Sequence, residues 1–196
     1  MSTIENLLTD RQGQALVRLA RETLEKELGA SRGADDDAMS DPEAEAIFKA
    51  RQGVFVTLKI EGQLRGCIGS LTGHEPIWQG VLTHAVNAGF HDPRFPSLTA
   101  EELGRIRIEV SVLTEPRPLA YKDSSDLIAR LKPHADGVIL RLGHASATFL
   151  PQVWEQLPDP AAFLSNLCLK AGLAADSWRH TPLEVETYQV QHFEEE

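Results

Sequence analysis

Val54-Phe55-Val56-Thr57-Leu58-Lys59-Ile60, then Glu61-Gly62, then Gln63-Leu64-Arg65-Gly66-Cys67-Ile68-Gly69-Ser70 is the stretch from which the fold is read. The first run alternates apolar and mixed residues at the two-residue period of a strand. Glu61-Gly62 occupies the place of a two-residue hairpin turn, with Gly62 free to take positive φ. On an unbroken return strand, Leu64, Gly66 and Ile68 share one face, and Arg65, Cys67 and Gly69 share the other. Two glycines inside so short a strand mark a bulge or a close approach to the backbone.

That alternation sets a guanidinium and a thiol side by side. A neighbouring positive charge favours the thiolate, the nucleophilic form of cysteine. The plainer reading is a cysteine packed as a small hydrophobe, with Arg65 lying over the sheet edge. Backbone N–H groups beside Gly66 and Gly69 offer a cradle for an oxyanion or phosphate.

The flanks give further elements. Asp10 to Gly29 reads as an amphipathic helix capped by Thr9 or Asp10, and Asp41 to Arg51 as a short helix. Pro76 to Phe90 is a second amphipathic helix, carrying His84 and Asn87. It runs into His91-Asp92-Pro93-Arg94-Phe95-Pro96, where two prolines stiffen a loop that presents His91, Asp92 and Arg94. Those polar groups suit a ligand; equally, Asp92 pairs with Arg94 within the loop while Phe95 plugs the core. Thr99-Ala100-Glu101-Glu102 has the form of a capping box. Arg105 to Thr114 is a strand that sets Glu109 beside Ser111 on its less apolar face. If it joins the hairpin's sheet, Glu109 falls near Arg65 and can hold it.

Beyond Pro116-Arg117-Pro118, the pattern predicts a helix over 123–132, a hairpin over 138–150, helices over 151–157 and 160–173, and a closing strand over 183–193. Cys168 falls on an apolar helical stripe and reads as inert core. Strands and helices mix without βαβ alternation, so the expected class is α+β with a mainly antiparallel sheet flanked by helices.

Composition narrows the function. The net charge of −10 argues against broad binding to nucleic acid, which needs clustered Lys and Arg. No apolar run approaches the roughly 18 residues of a membrane span. The first residues lack the layout of a signal peptide, so the expected location is cytoplasmic. The two cysteines are too few for a disulfide scaffold. Cys-x-x-Cys and His-Glu-x-x-His are absent, no metal site is expected, and the acidic run Asp35-Asp36-Asp37 lacks calcium-loop spacing. No cofactor fingerprint is present.

Leu64-Arg65-Gly66-Cys67-Ile68-Gly69-Ser70, followed by His91-Asp92-Pro93-Arg94-Phe95-Pro96, Ile108-Glu109-Val110-Ser111-Val112-Leu113 and Phe149-Leu150-Pro151-Gln152-Val153-Trp154, resembles the AMMECR domain family. In bacteria and archaea this family includes protein A of the AmmeMemoRadiSam system. The resemblance implies one domain over residues 10–193 with two sub-lobes, the Leu-Arg-Gly-Cys string lining a cleft between them, and flexible termini at 1–9 and 194–196. It implies partners, a Memo-like protein and a radical S-adenosylmethionine enzyme, but no established activity. This chain lacks the Cys-x3-Cys-x2-Cys motif of the radical enzyme itself. Two functions follow. In one, Cys67 is a nucleophile or redox centre, with Arg65 on its thiolate or on an anionic substrate and His91 or His84 as base. In the other, the chain is a non-catalytic partner, a small-ligand binder, or the protein that the radical enzyme modifies.

Overall fold

A computed structural model describes residues 8–30 and 48–195. Most of the helix expected over Asp41 to Arg51, and the acidic run at Asp35–Asp37, lie outside the described residues. The chain divides into two compact units, Met1–Leu113 with Gln191–Glu196, and Thr114–Val190.

In the first unit, α1 (Asp10–Glu27) starts on a capping box between Thr9 and Gln12. Strands β1 (Gly53–Ile60) and β2 (Gln63–Ser70) form the expected hairpin. Glu61 and Gly62 both have positive φ, 51° and 77°, the pattern of a type I′ turn. Helix α2 (Ile77–Phe90), the single turn α3 (Ala100–Leu103) and strand β3 (Ile106–Leu113) follow. The last strand, β8 (Val190–Glu194), completes a sheet of order β2-β1-β3-β8. Leu16, Ala20 and Leu24 of α1, Val81, Ala85 and Ala88 of α2, and Val56, Leu58, Ile108 and Val110 of the sheet bury one face. Thr57, Lys59, Glu109 and Ser111 alternate onto the other.

The second unit holds β4 (Arg117–Pro118), α4 (Ser124–Arg130), β5 (Gly137–Leu142), β6 (Ala145–Phe149), a 3-10 turn (Pro151–Glu155), α5 (Pro160–Lys170), α6 (Ser177–His180) and β7 (Glu184–Tyr188). Its sheet runs β4-β7-β5-β6, all antiparallel. Trp154 stacks on Phe163 at 3.7 Å in a core that includes Cys168. Burial raises the Cys168 pKa, as fits a packed thiol.

The class is α+β, with two antiparallel sheets. The closing strand expected over 183–193 is two strands, because Gln189 separates β7 from β8 and the two join different sheets. After β8, Glu195 is tied down. Its carboxylate receives Arg21 Nε and Nη2 at 2.8 and 2.5 Å and the Ile108 N–H at 3.0 Å.

Candidate functional site

The β1–β2 register pairs Leu58 with Gly66 but Lys59 with Leu64, leaving Arg65 as the extra residue of a β-bulge. Beyond the bulge, Gly66 turns to the helix face, where an added Cβ would lie 2.1 Å from the Ala88 carbonyl oxygen of α2. Cys67 pairs with Thr57, and Thr57 with Glu109, so these three form a row across the opposite face. Arg65 does not share that face as a working pair with Cys67. Its Nε and Nη2 donate to the two oxygens of Glu102 at 2.9 and 3.0 Å, on α3.

This corrects the expectation that Glu109 holds Arg65. Glu109 instead receives Lys59 Nζ at 2.9 Å and the Ser111 hydroxyl at 3.4 Å, with His192 Nδ1 at 3.4 Å. The His192 contact first, then Lys59, pushes the Glu109 pKa down to about 2 against the opposing effect of burial. His192 Nδ1 also lies 3.0 Å from Ser111 Oγ. Acid and hydroxyl thus meet the same ring nitrogen, which is not the two-nitrogen relay of a Ser-His-acid triad.

Asp92 is 4% exposed and Arg94 closes on it. Arg94 Nε and Nη2 donate to the two carboxylate oxygens at 2.9 and 2.7 Å. Asp92 also accepts the Cys67 N–H at 2.9 Å, and Arg94 Nη2 donates to the Cys67 carbonyl at 3.0 Å. Both peptide groups of Cys67 on the outer edge of β2 are therefore held by one ion pair. Arg94, then burial in the opposite sense, then the backbone donors set the Asp92 pKa, which is held far below the usual carboxylate range. The same edge contacts stop β2 from offering an open row of donors and acceptors at this point.

Thr57 Oγ1 donates to Cys67 Sγ at 3.3 Å, and the cysteine is half-buried. Of the expected bases, His91 sets Nδ1 3.1 Å from Asn87 Oδ1, and no hydrogen bond joins its ring to Cys67 among the described residues. His84 lies partly buried on α2 with its Nδ1 unpartnered, and burial lowers its pKa. Gly69 serves packing: a Cβ there would lie 2.3 Å from the Phe55 ring. The two glycines of the motif thus admit a helix on one side and a phenyl ring on the other.

The Phe95 ring meets both arginines, with the Arg65 and Arg94 guanidinium carbons 5.9 and 5.5 Å from its centroid. Arg65, whose side chain is 9% exposed, leaves Nη1 buried without a hydrogen-bond partner. Glu102 first raises the Arg65 pKa, and the same contact pushes Glu102 down to about 2. Sequence reasoning took Glu102 as a helix cap, which it also is: its Oε2 accepts the Thr99 N–H at 3.1 Å. Nothing in a local motif ties that cap to an arginine 37 residues earlier. Thr57, Lys59 and His192 were also missed, although the first two alternate with core residues in the hairpin. No group of three or more His, Cys, Asp or Glu that could hold a metal is found among the described residues. No helix among them is long and apolar enough to cross a membrane.

The family described as AMMECR1 matches residues 17–193. A protein of Thermofilum pendens is 38% identical over 199 residues, covering 96% of this chain and 92% of that one. A protein of Methanothermobacter thermautotrophicus is 38% identical over 190 residues, covering 96% and 97%. The crystal structure of the uncharacterized protein PH0010 from Pyrococcus horikoshii superimposes with a TM-score of 0.79 at 33% identity, over 96% of this chain and 94% of that one. None of these names states an activity.

Proposed function

This chain belongs to the AMMECR1 family, and we propose that it is a component of a system with a Memo-like protein and a radical S-adenosylmethionine enzyme. Its own part is to present Leu64–Ser70 as a fixed segment for recognition or modification. The observation that carries this reading is the clamp on Cys67, whose N–H and C=O are both taken by the Asp92–Arg94 pair. A segment held in one geometry before binding loses less entropy when a partner docks. Acid–base thiol catalysis has less support, because Arg65 is given to Glu102 and no histidine hydrogen-bonds Cys67 among the described residues.

The test is expression of the chain alone and with both partners, followed by co-elution and mass analysis of the peptide spanning 62–70. The expected result is a three-chain complex in which Cys67 is shielded from iodoacetamide or the peptide changes mass. A chain that elutes alone, with the peptide unchanged and Cys67 equally open, refutes the reading.

A second reading is favoured by one observation. The Thr57 hydroxyl donates to the Cys67 sulfur on the face that also carries Glu109. That hydroxyl is the side-chain donor that meets the sulfur, so the enzyme reading rests on Thr57, not on Arg65. Alkylation of Cys67 at neutral pH, slowed in Thr57→Val and kept in Thr57→Ser, supports it; equal rates in all three remove it.

A further inference from the structure

Around Phe95 two carboxylates and two guanidiniums cancel in formal charge, yet their hydrogen-bonding capacity does not cancel. All four carboxylate oxygens accept: Asp92 from Arg94 and the Cys67 N–H, Glu102 from Arg65 and Thr99. The unspent groups are donors. Arg65 Nη1 is buried and unpaired, and Arg94 Nη1 makes no hydrogen bond among the described residues. A buried charged donor left unmatched is costly, so the chemistry that completes this site is an acceptor. An anionic oxygen forms a stronger, charge-assisted bond to a guanidinium than a neutral one does.

We propose that Arg65 and Arg94, standing over the Phe95 ring, form a binding site for a small oxyanion, a carboxylate or a phosphate monoester, with Arg65 Nη1 as the specific donor. The site stands apart from the partner reading above, since it needs neither a second protein nor a reaction at Cys67. Glu102 is its positioning residue: by holding Nε and Nη2, it fixes the plane of the Arg65 guanidinium and aims Nη1 away from α3. Arg94 is 53% exposed at its side chain and supplies the side from which an anion enters.

The experiment is a titration of the isotope-labelled full chain with sodium phosphate and, separately, sodium acetate, at constant ionic strength held with chloride. Amide shifts at Gly66, Cys67 and Phe95 are the readout. The expected result is saturation by one of the two anions at these amides and not by chloride. Arg65→Lys keeps the charge and loses the fork, so binding weakens about tenfold, the worth of one charge-assisted hydrogen bond. If that variant does not fold, Arg94→Gln is read in its place and also binds more weakly. Tighter binding of phosphate assigns a phosphate ligand, and tighter binding of acetate a carboxylate. Shifts that chloride reproduces, no saturation with either anion, or variants that bind like the parent each overturn the site and leave Nη1 to a buried water.

Discussion

Asp92→Ala removes the acceptor for four donors: the N–H groups of Cys67 and Arg94, and Nε and Nη2 of Arg94. They do not weigh equally. The Arg94 side chain is 53% exposed and turns to water at little cost. The two part-buried N–H groups lose charge-assisted bonds, each about 1.5 kcal/mol, giving roughly 3 kcal/mol in all. For a chain of this size, each kcal/mol moves the melting temperature by roughly 2–4 °C, so the expected fall is roughly 6–12 °C. Native-state hydrogen exchange gives the local readout, because the Cys67 amide loses its partner. The pH dependence has a fixed sign. The folded Asp92 pKa is depressed, chiefly by Arg94. Its stabilisation is therefore complete above the unfolded value of about 3.9 and is lost as pH falls below it. Parent and variant should differ fully at pH 7 and converge in acid. A variant that melts with the parent at pH 7, with the Cys67 amide as protected as before, refutes the clamp.

Four further outcomes are expected. Gly66→Ala drives a Cβ to 2.1 Å from a backbone oxygen of α2, which cannot turn aside; chemical denaturation should show a loss of about 1–3 kcal/mol or more. Gly69→Ala brings a Cβ to 2.3 Å from the Phe55 ring and to 2.4 Å from the Val54 carbonyl oxygen, so the double variant with Phe55→Ala should recover only part of the loss, and an additive double variant refutes the ring contact. Iodoacetamide at neutral pH should label Cys67 and spare Cys168, which is fully buried, and equal labelling of both in the folded chain would contradict the packing of the second unit. In acid, Glu109 should lose its stabilising contacts as pH falls from about 4.3, its unfolded value, through a folded value of about 2; the acid limb of a stability profile should flatten in Glu109→Gln.

Much of the fold was legible because it is written in short-range pattern. The capping box read at Thr99 forms with Glu102, and of the two caps offered for α1, Thr9 and Asp10, it is Thr9 that caps. The alternation in β3 gives a strand over Ile106–Leu113. The two-residue strand β4 and the four-residue helix α6 carry too little pattern to be seen. The closing strand was legible as strand but not as two, because Tyr188 and Phe193 are both buried apolar residues and periodicity does not say in which sheet. Partners of the site residues were least legible. Glu102 for Arg65 and Asp92 for the Cys67 backbone lie 37 and 25 residues away, distances that only the fold closes.

The decisive step is one inserted residue. Strict alternation in β2 places Arg65 and Cys67 on one face and makes the arginine a thiolate partner. The glycine beside Arg65 signalled a bulge, but not on which residue it falls, and that choice inverts the electrostatics. With Arg65 as the extra residue, Leu64 is left 44% exposed opposite Lys59, while Arg65 is buried against Glu102. Cys67 then returns to the face of Thr57 and Glu109, with Arg94 on its backbone. A bulge therefore separates a cation from a thiol that the primary sequence sets two residues apart, and gives each its own surroundings: a carboxylate-locked guanidinium with one spare donor, and a thiol with a hydroxyl donor. Deleting the bulge would restore the alternation and move Arg65 to the Cys67 face. It would also leave Glu102 without the guanidinium that holds its pKa near 2, so the site is stable only in the register that divides its two chemistries.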